Sequence, residues 1–297
     1  MAETLKTFRG SCHCGKYIYE LDLPEDFKPA ECNCSFCYKK GALWAKSEPG
    51  KFHFVKGDID TLTNYTFGRK TFNHKFCPNC GVQLLVIGHM EPPKPGEVKE
   101  PVTGFNVRSF RYGQGVDVWT VERGHIDGKS FGKPYEPPKF SGPEPTAVIE
   151  GGKIYTGSCH CGAVKVALKS KPLDKSSSER IMECNCSICN RHGYVWFYPQ
   201  KEQVVIEGED NLGVYLFNTK LFGKTFCKTC GIAVHNQRQP ITEEQLKELP
   251  EGMQNFARGG QNLTPINLRL FNDLDIKNLN VAQFDGYNTT LPRYVEP

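Results

Sequence analysis

Seven cysteines in one fixed order occur twice in this chain. Cys12, Cys14, Cys32, Cys34, Cys37, Cys77 and Cys80 form the first set; Cys159, Cys161, Cys184, Cys186, Cys189, Cys227 and Cys230 form the second. These sets account for all 14 cysteines. The flanks repeat as well: G-S-C-H-C-G recurs unchanged, E-C-N-C-S-F-C returns as E-C-N-C-S-I-C, and F-C-P-N-C-G returns as F-C-K-T-C-G. Such self-similarity marks an internal duplication with a period of about 150 residues. The 297 residues suffice for two modest cores. Between them, Pro134 to Pro145 holds five prolines in twelve residues and no apolar periodicity, as a stiff linker would. The expected division is a first domain at 1–138, a linker at 139–146 and a second domain at 147–297.

Within each repeat the apolar pattern is that of strands. Tyr17, Tyr19, Leu21 and Leu23 alternate with Ile18, Glu20 and Asp22, and Val164, Val166 and Leu168 alternate with Lys165, Ala167 and Lys169. Further short strands are expected at Phe52 to Val55, Val82 to Ile87, Val204 to Ile206 and Ile232 to His235. Another pair is expected at Asn106-Val107-Arg108 and Asn267-Leu268-Arg269. One helix is signalled, Thr242 to Leu249, where Thr242 and Gln245 make a capping box and Ile241 can staple to Leu246. It lies in an insertion, Asn236 to Pro265, longer than its counterpart Gly88 to Gly104. The expected class is mainly β with little helix, two small antiparallel sheets per chain.

Charge and targeting narrow the function classes. The formal net charge of +4 counts every thiol as neutral; fourteen thiolates with four Zn²⁺ would make it −2. Lysines and arginines are scattered, so nucleic acid is not expected as a partner. No apolar run approaches the roughly 18 residues of a membrane helix. The opening M-A-E-T-L-K-T-F-R-G lacks the apolar core of a secretory leader, so a reducing, cytoplasmic setting is expected. Disulfides would also leave one of seven cysteines unpaired per repeat.

Seven thiols divide into four plus three more naturally than into one site. C-x-x-C on a tight turn is half of a structural zinc site, and Cys77 with Cys80 needs two partners. Cys12 with Cys14, or two of the C-x-C-x-x-C group, could supply them. The first choice completes a closed four-cysteine site and leaves Cys32, Cys34 and Cys37 to hold a zinc whose fourth position is open, as a catalytic zinc requires. In the second repeat Cys159, Cys161, Cys227 and Cys230 would close, leaving Cys184, Cys186 and Cys189. A nearby side chain or water as fourth ligand would instead make the trios structural.

Other residues are candidates around these sites. His74, three before Cys77, is matched by Lys224, and His192, three after Cys189, is matched by Lys40. Either histidine could move a proton near an open zinc. His13 and His160, inside the C-x-C turns, are expected at the surface. Trp44 and Trp196 are expected as core anchors, with a pocket wall as the lesser option.

These motifs closely resemble the glutathione-dependent formaldehyde-activating enzyme family, also called the GFA or centromere-protein-V-like family. The resemblance runs from G-S-C-H-C-G through F-C-x-x-C-G to N-V-R/N-L-R and to Asp127-Gly128 and Asp285-Gly286, in both repeats. It implies two tandem β-tent zinc domains. It implies too that the outer four cysteines are structural ligands and the C-x-C-x-x-C group catalytic ones, with up to four Zn²⁺ per chain. The implied activity is a carbon–sulfur lyase reaction that adds glutathione, as co-substrate, to formaldehyde or a related aldehyde, or cleaves the adduct. A zinc bound by three thiolates carries net −1 and is a weak Lewis acid, which favours thiol binding over carbonyl activation. Two alternatives stand beside this: a related zinc enzyme acting on another small metabolic or biosynthetic intermediate, and a non-catalytic zinc-stabilised binding module.

Overall fold

The computed structural model describes residues 4–297. In the first repeat the strands are β1 (Leu5–Ser11), β2 (Ile18–Pro24), β3 (Ala30–Cys32), β4 (Leu43–Ser47), β5 (Phe52–Lys56), β6 (Thr63–Tyr65), β7 (Phe72–Phe76), β8 (Gln83–Gly88), β9 (Val102–Asn106) and β10 (Gly124–Ile126). One short helix, α1 (Ser35–Lys40), lies between β3 and β4. The second repeat follows with β11 (Lys153–Ser158), β12 (Lys165–Ser170), β13 (Ile181–Cys184), β14 (Trp196–Phe197), β15 (Val204–Glu207), β16 (Leu212–Tyr215), β17 (Phe222–Cys227), β18 (Ala233–Arg238), β19 (Ile266–Asn267) and β20 (Ala282–Phe284). Its helices are α2 (Ser187–His192), α3 (Glu243–Lys247), α4 (Glu251–Gly259) and α5 (Gly286–Thr289).

The class is mainly β, and each repeat contributes two sheets rather than one. A three-stranded sheet runs β1-β2-β5 and a seven-stranded one β10-β3-β4-β9-β8-β7-β6; the second repeat has the orders β11-β12-β15 and β16-β17-β18-β19-β14-β13-β20. All pairings are antiparallel except β10 with β3 and β20 with β13, which are parallel. In β2 the expected alternation holds from Tyr19 onward, with Tyr19, Leu21 and Leu23 buried and Glu20 and Asp22 half-buried, while Ile18 departs from it and is buried too.

Three expectations of local structure change. Asn106 ends β9, and Val107 and Arg108 begin a 3₁₀ turn because the Asn106 side chain accepts from the Arg108 N–H; Asn267 does the same for Arg269. Second, the three-cysteine loops contain helices, with Cys34 and Cys186 at their N-caps and glycines Gly41 and Gly193 in the left-handed conformation at their ends. Third, the insertion carries two helices. The Thr242 capping box opens α3 as expected, but Pro250 starts a second helix, and Ile241 and Leu246 pack with Leu221 and Ala257 in a satellite cluster. Among the described residues no helix is long and apolar enough to cross a membrane.

The two repeats meet through matching residues used reciprocally, as in an isologous dimer. Phe36 of the first repeat sits in the core of the second, while Ile188 and Trp196 sit in the core of the first. The Arg108 guanidinium donates to the Asn190 carbonyl of the second repeat and that of Arg269 to the Tyr38 carbonyl of the first. Gly81 has φ of 70°, and a Cβ there would strike the Phe226 ring; Gly231 stands likewise against Phe76. The buried Lys40 ammonium donates to the carbonyls of Gly81 and Gly231, one from each repeat. The tails cross over too. Tyr135 stacks on His160, and Tyr294 stacks on His13.

Candidate metal centres

All 14 cysteines are free thiols, and they gather into four groups. Cys12, Cys14, Cys77 and Cys80 form one, and Cys159, Cys161, Cys227 and Cys230 another. Cys32, Cys34 and Cys37 form a third and Cys184, Cys186 and Cys189 a fourth, each with its sulfurs within 4.8 Å of one another. In the four-cysteine groups Cys12–Cys14, Cys14–Cys77, Cys159–Cys161 and Cys161–Cys227 stand 3.6 Å apart, sulfur to sulfur. A tetrahedron of Zn–S bonds near 2.3 Å has edges of about 3.8 Å, so the donor set fits zinc. Tight turns make the geometry: Gly81 N–H donates to the Cys77 carbonyl, and the Tyr17 N–H donates to Cys12 Sγ at 3.2 Å. Burial pushes the Cys80 and Cys230 thiols up, so a divalent cation is what would let four buried sulfurs ionise together.

The trios are built by a second recurring device. Cys32 ends β3, Cys34 caps α1 with its sulfur accepting from the Cys37 N–H at 3.4 Å, and Cys37 lies in the helix. The parallel strand β10 sets Ile126 beside Cys32. After it, Asp127 accepts from the Asn33 amide at 2.7 Å, the Lys129 N–H donates to Asn33 Oδ1, and Gly128 backs directly onto Cys32 Sγ and Cys34 Cβ. Asp285, Asn185 and Gly286 repeat this clamp on Cys184 and Cys186. Trp44 Nε1 donates to Cys37 Sγ at 3.3 Å, and Trp196 Nε1 to Cys189 Sγ at the same distance. The tryptophans are therefore buried, and they also hold a sulfur. The Cys34 and Cys37 thiols, with the backbone N–H groups of Cys34 and Gly128, bring Cys32 down to about 3.

A cavity of about 360 Å³ opens on the first trio, and all three of its cysteines line it. Its walls are mostly apolar, with Trp44, Phe67 and Val86 among them. Lys28, Lys46 and Arg69 stand in the lining and no carboxylate does. His74 lines it too, with the Gln83 amide donating to Nδ1 at 3.1 Å, which leaves the proton on Nε2. The ring stacks on Phe67, and burial lowers its pKa to about 3, so it is neutral at pH 7.

The second trio forms but is walled in. Where the first repeat has Ala30, Ala42, Lys46 and Gly104, the second has Met182, Tyr194, Tyr198 and Pro265. Tyr194 stacks on Trp196 with ring centres 4.1 Å apart, and Tyr198 donates to Met182 Sδ. Lys224 takes the place of His74, its ammonium 4.7 Å from the Trp196 ring and bonded to Asn236 at 2.8 Å. A cavity of about 490 Å³ in this repeat reaches Cys186 but neither Cys184 nor Cys189.

The other three candidate histidines, His13, His160 and His192, are not where surface or proton-transfer roles would put them. His13 and His160 are 3% and 4% exposed, buried between the repeats. His192 turns from its own trio and donates from Nε2 to the Cys80 carbonyl at 2.9 Å. The Asp-Gly pairs are visible in the sequence, but their clamping of the trios, the indole bonds to sulfur and the filling of the second cavity are not. Setting the repeats side by side would have exposed the last, because Ala42 against Tyr194 is a large change beside a conserved-length cysteine loop.

Among solved structures, a crystal structure of a Rhodobacter sphaeroides protein is similar at 25% identity, over 43% of this chain and 97% of that one. The TM-score is 0.32. The profile of the glutathione-dependent formaldehyde-activating enzyme family matches twice, at residues 7–98 and 154–255. Those two segments take in every cysteine of both sets, and the chain belongs to that family, in two tandem copies.

Proposed function

We propose that the chain is a zinc-dependent enzyme of carbon–sulfur bond chemistry, joining a small thiol such as glutathione to an aldehyde or cleaving the adduct, in the cavity of the first repeat. The observation that carries this reading is a cysteine trio, Cys32, Cys34 and Cys37, on the wall of a cavity whose lining holds no carboxylate. A zinc held by these three sulfurs would supply a fourth position that binds a thiol and lowers its pKa from near 8.5. Arg69 suits a carboxylate of a peptide thiol, and Lys28 and Lys46, exposed and paired with Glu122 and Glu48, would add to the positive rim by exchanging those partners for the substrate's. Trp44, by donating to Cys37, draws charge off the most buried ligand. As the C–S bond forms and the C=O π bond breaks, the developing alkoxide takes a hydrogen bond from neutral His74 at Nε2. The proton lost by the thiol ends on that oxygen, so no other reactant is consumed. Fourteen free thiols suit a reducing compartment, the cytoplasm.

The apolar walls also favour a second reading, in which the same site acts on a larger small-molecule intermediate with an apolar group, since formaldehyde alone does not need this lining. One experiment serves both. Full-length chain with four zinc ions is assayed with glutathione against formaldehyde and longer aldehydes. Accelerated adduct formation, lost in Cys34→Ala with the fold retained, supports the proposal. Four bound zinc ions and no acceleration with any aldehyde overturn its carbon–sulfur form.

A further inference from the structure

The trio of the first repeat is held from outside its own repeat. His160, between Cys159 and Cys161 of the second repeat, shares a hydrogen bond through Nε2 with Ser35 Oγ at 3.0 Å and through Nδ1 with Tyr65 OH at 2.8 Å. Ser35 is the first residue of α1, next to Cys34 and two before Cys37. The imidazole also lies against Phe36 and Phe67, at ring distances of 5.4 and 4.5 Å, and Phe36 in turn abuts the His74 ring at 4.3 Å. Both nitrogens are thus engaged, so the ring is no metal ligand, and the Tyr135 carbons stack on its other face.

The reciprocal contact exists but leads elsewhere. His13 meets Ser187 and Tyr215, each at 2.9 Å, and so holds the start of α2. That helix carries Cys189, whose trio is walled in by Tyr194 and Met182. Two equivalent bridges therefore support two unequal sites.

We infer that His160, a residue of the second repeat, is a positioning residue for the metal-binding trio of the first, whereas His13 holds only a filled site. The inference rests on the reading of the first cavity as the place of turnover. It makes the closed cysteine group of the second repeat, whose turn carries His160, a support for chemistry done in its neighbour.

The test uses full-length chain in zinc and cobalt(II) forms, with His160→Ala, His160→Gln, His160→Asn and His13→Ala. Glutamine can place a polar atom where Nε2 meets Ser35; asparagine can do so only where Nδ1 meets Tyr65. His160→Ala is expected to shift the sulfur-to-cobalt band of one centre and to lower kcat about tenfold, with KM within about twofold. His160→Gln restores both and His160→Asn restores neither, while His13→Ala leaves kcat at the wild-type value. Wild-type spectrum and kcat in His160→Ala would overturn the inference, as would equal rescue by glutamine and asparagine. If His160→Ala does not fold, the Gln–Asn comparison decides. If the wild-type chain turns over no thiol–aldehyde pair, the functional reading falls separately. The cobalt band alone then decides: shifted in His160→Ala and restored by glutamine it upholds the positioning role, and unshifted it overturns that role.

Discussion

Gly128→Ala tests the clamp that shapes the first trio. Residue 128 follows the parallel strand β10, and a Cβ there would sit 3.0 Å from Cys34 Cβ and closer still to Cys32 Sγ. Ordinary contacts between such atoms lie at about 3.5–4.0 Å, so Cys32 must yield by about 1 Å. Metal–ligand distances tolerate about 0.2 Å. The sulfur cannot give way and still complete the site, so the variant is expected to bind about one zinc ion fewer per chain and to lose turnover. Overpacking of this kind costs about 1–3 kcal/mol, and melting should fall by roughly 2–4 °C for each of these. Gly286 has the same relation to Cys184 and Cys186, so Gly286→Ala should lose one zinc ion as well. Its trio is walled in, and turnover should therefore survive. Zinc by elemental analysis, melting by calorimetry and adduct formation by spectroscopy separate these outcomes. Full zinc content with normal turnover in Gly128→Ala would refute the steric reasoning; loss of turnover in Gly286→Ala would refute the functional asymmetry of the repeats.

Three further outcomes follow from the geometry. Ala30→Met puts the second repeat's Met182 counterpart on the wall of the first cavity, and is expected to keep all zinc ions while turnover falls at least tenfold; unchanged kinetics would mean that substrate does not approach position 30. Trp44→Phe removes the N–H donated to Cys37 Sγ, a bond of about 1 kcal/mol, so zinc should pass to a chromogenic chelator about fivefold faster from the first trio, with the Trp196→Phe change acting on the second. Burial holds His74 at about 3 and His235 at about 4, so the folded chain stays unprotonated there while the unfolded chain takes up protons below about 6.5. Stability from each is present above that pH and is lost as pH falls towards the folded value, about 2 kcal/mol apiece between pH 7 and 5. His235→Gln should therefore weaken the pH dependence of urea unfolding by about that amount, and an unchanged slope would show that the ring is protonated when folded.

The legible part of this protein lay in its cysteines, because metal ligation ties function to fixed short spacings. The repeated C-x-C and C-x-x-C spacings, the β class and the Thr242 cap all depend on residues close in sequence. What the spacing does not carry is contact between distant segments. His13 and His160 look like turn residues until the partner repeat is in place, and nothing local shows that Ser187 and Ser35 await them. Helices α1 and α2 escaped notice because six residues of mixed polarity have no period, and their start is a cysteine cap rather than the usual Asp or Ser. Val107 and Arg108 follow a strand pattern, yet the Asn106 side chain competes for the next N–H and ends the ladder.

The shared ammonium of Lys40 bears on how the chain is made. Its acceptors, the carbonyls of Gly81 and Gly231, belong to segments that leave the ribosome about 150 residues apart. At roughly 5–20 residues per second, the first repeat waits on the order of ten seconds or more with half of that cation's partners unsynthesised and Phe36 without its covering core. During that interval the nascent surface resembles the one it is waiting for. Two first repeats on neighbouring ribosomes of one messenger can therefore meet each other before either meets its own second half. Translation speed through the region encoding residues 139 to 235 is thus part of what decides whether a chain closes on itself.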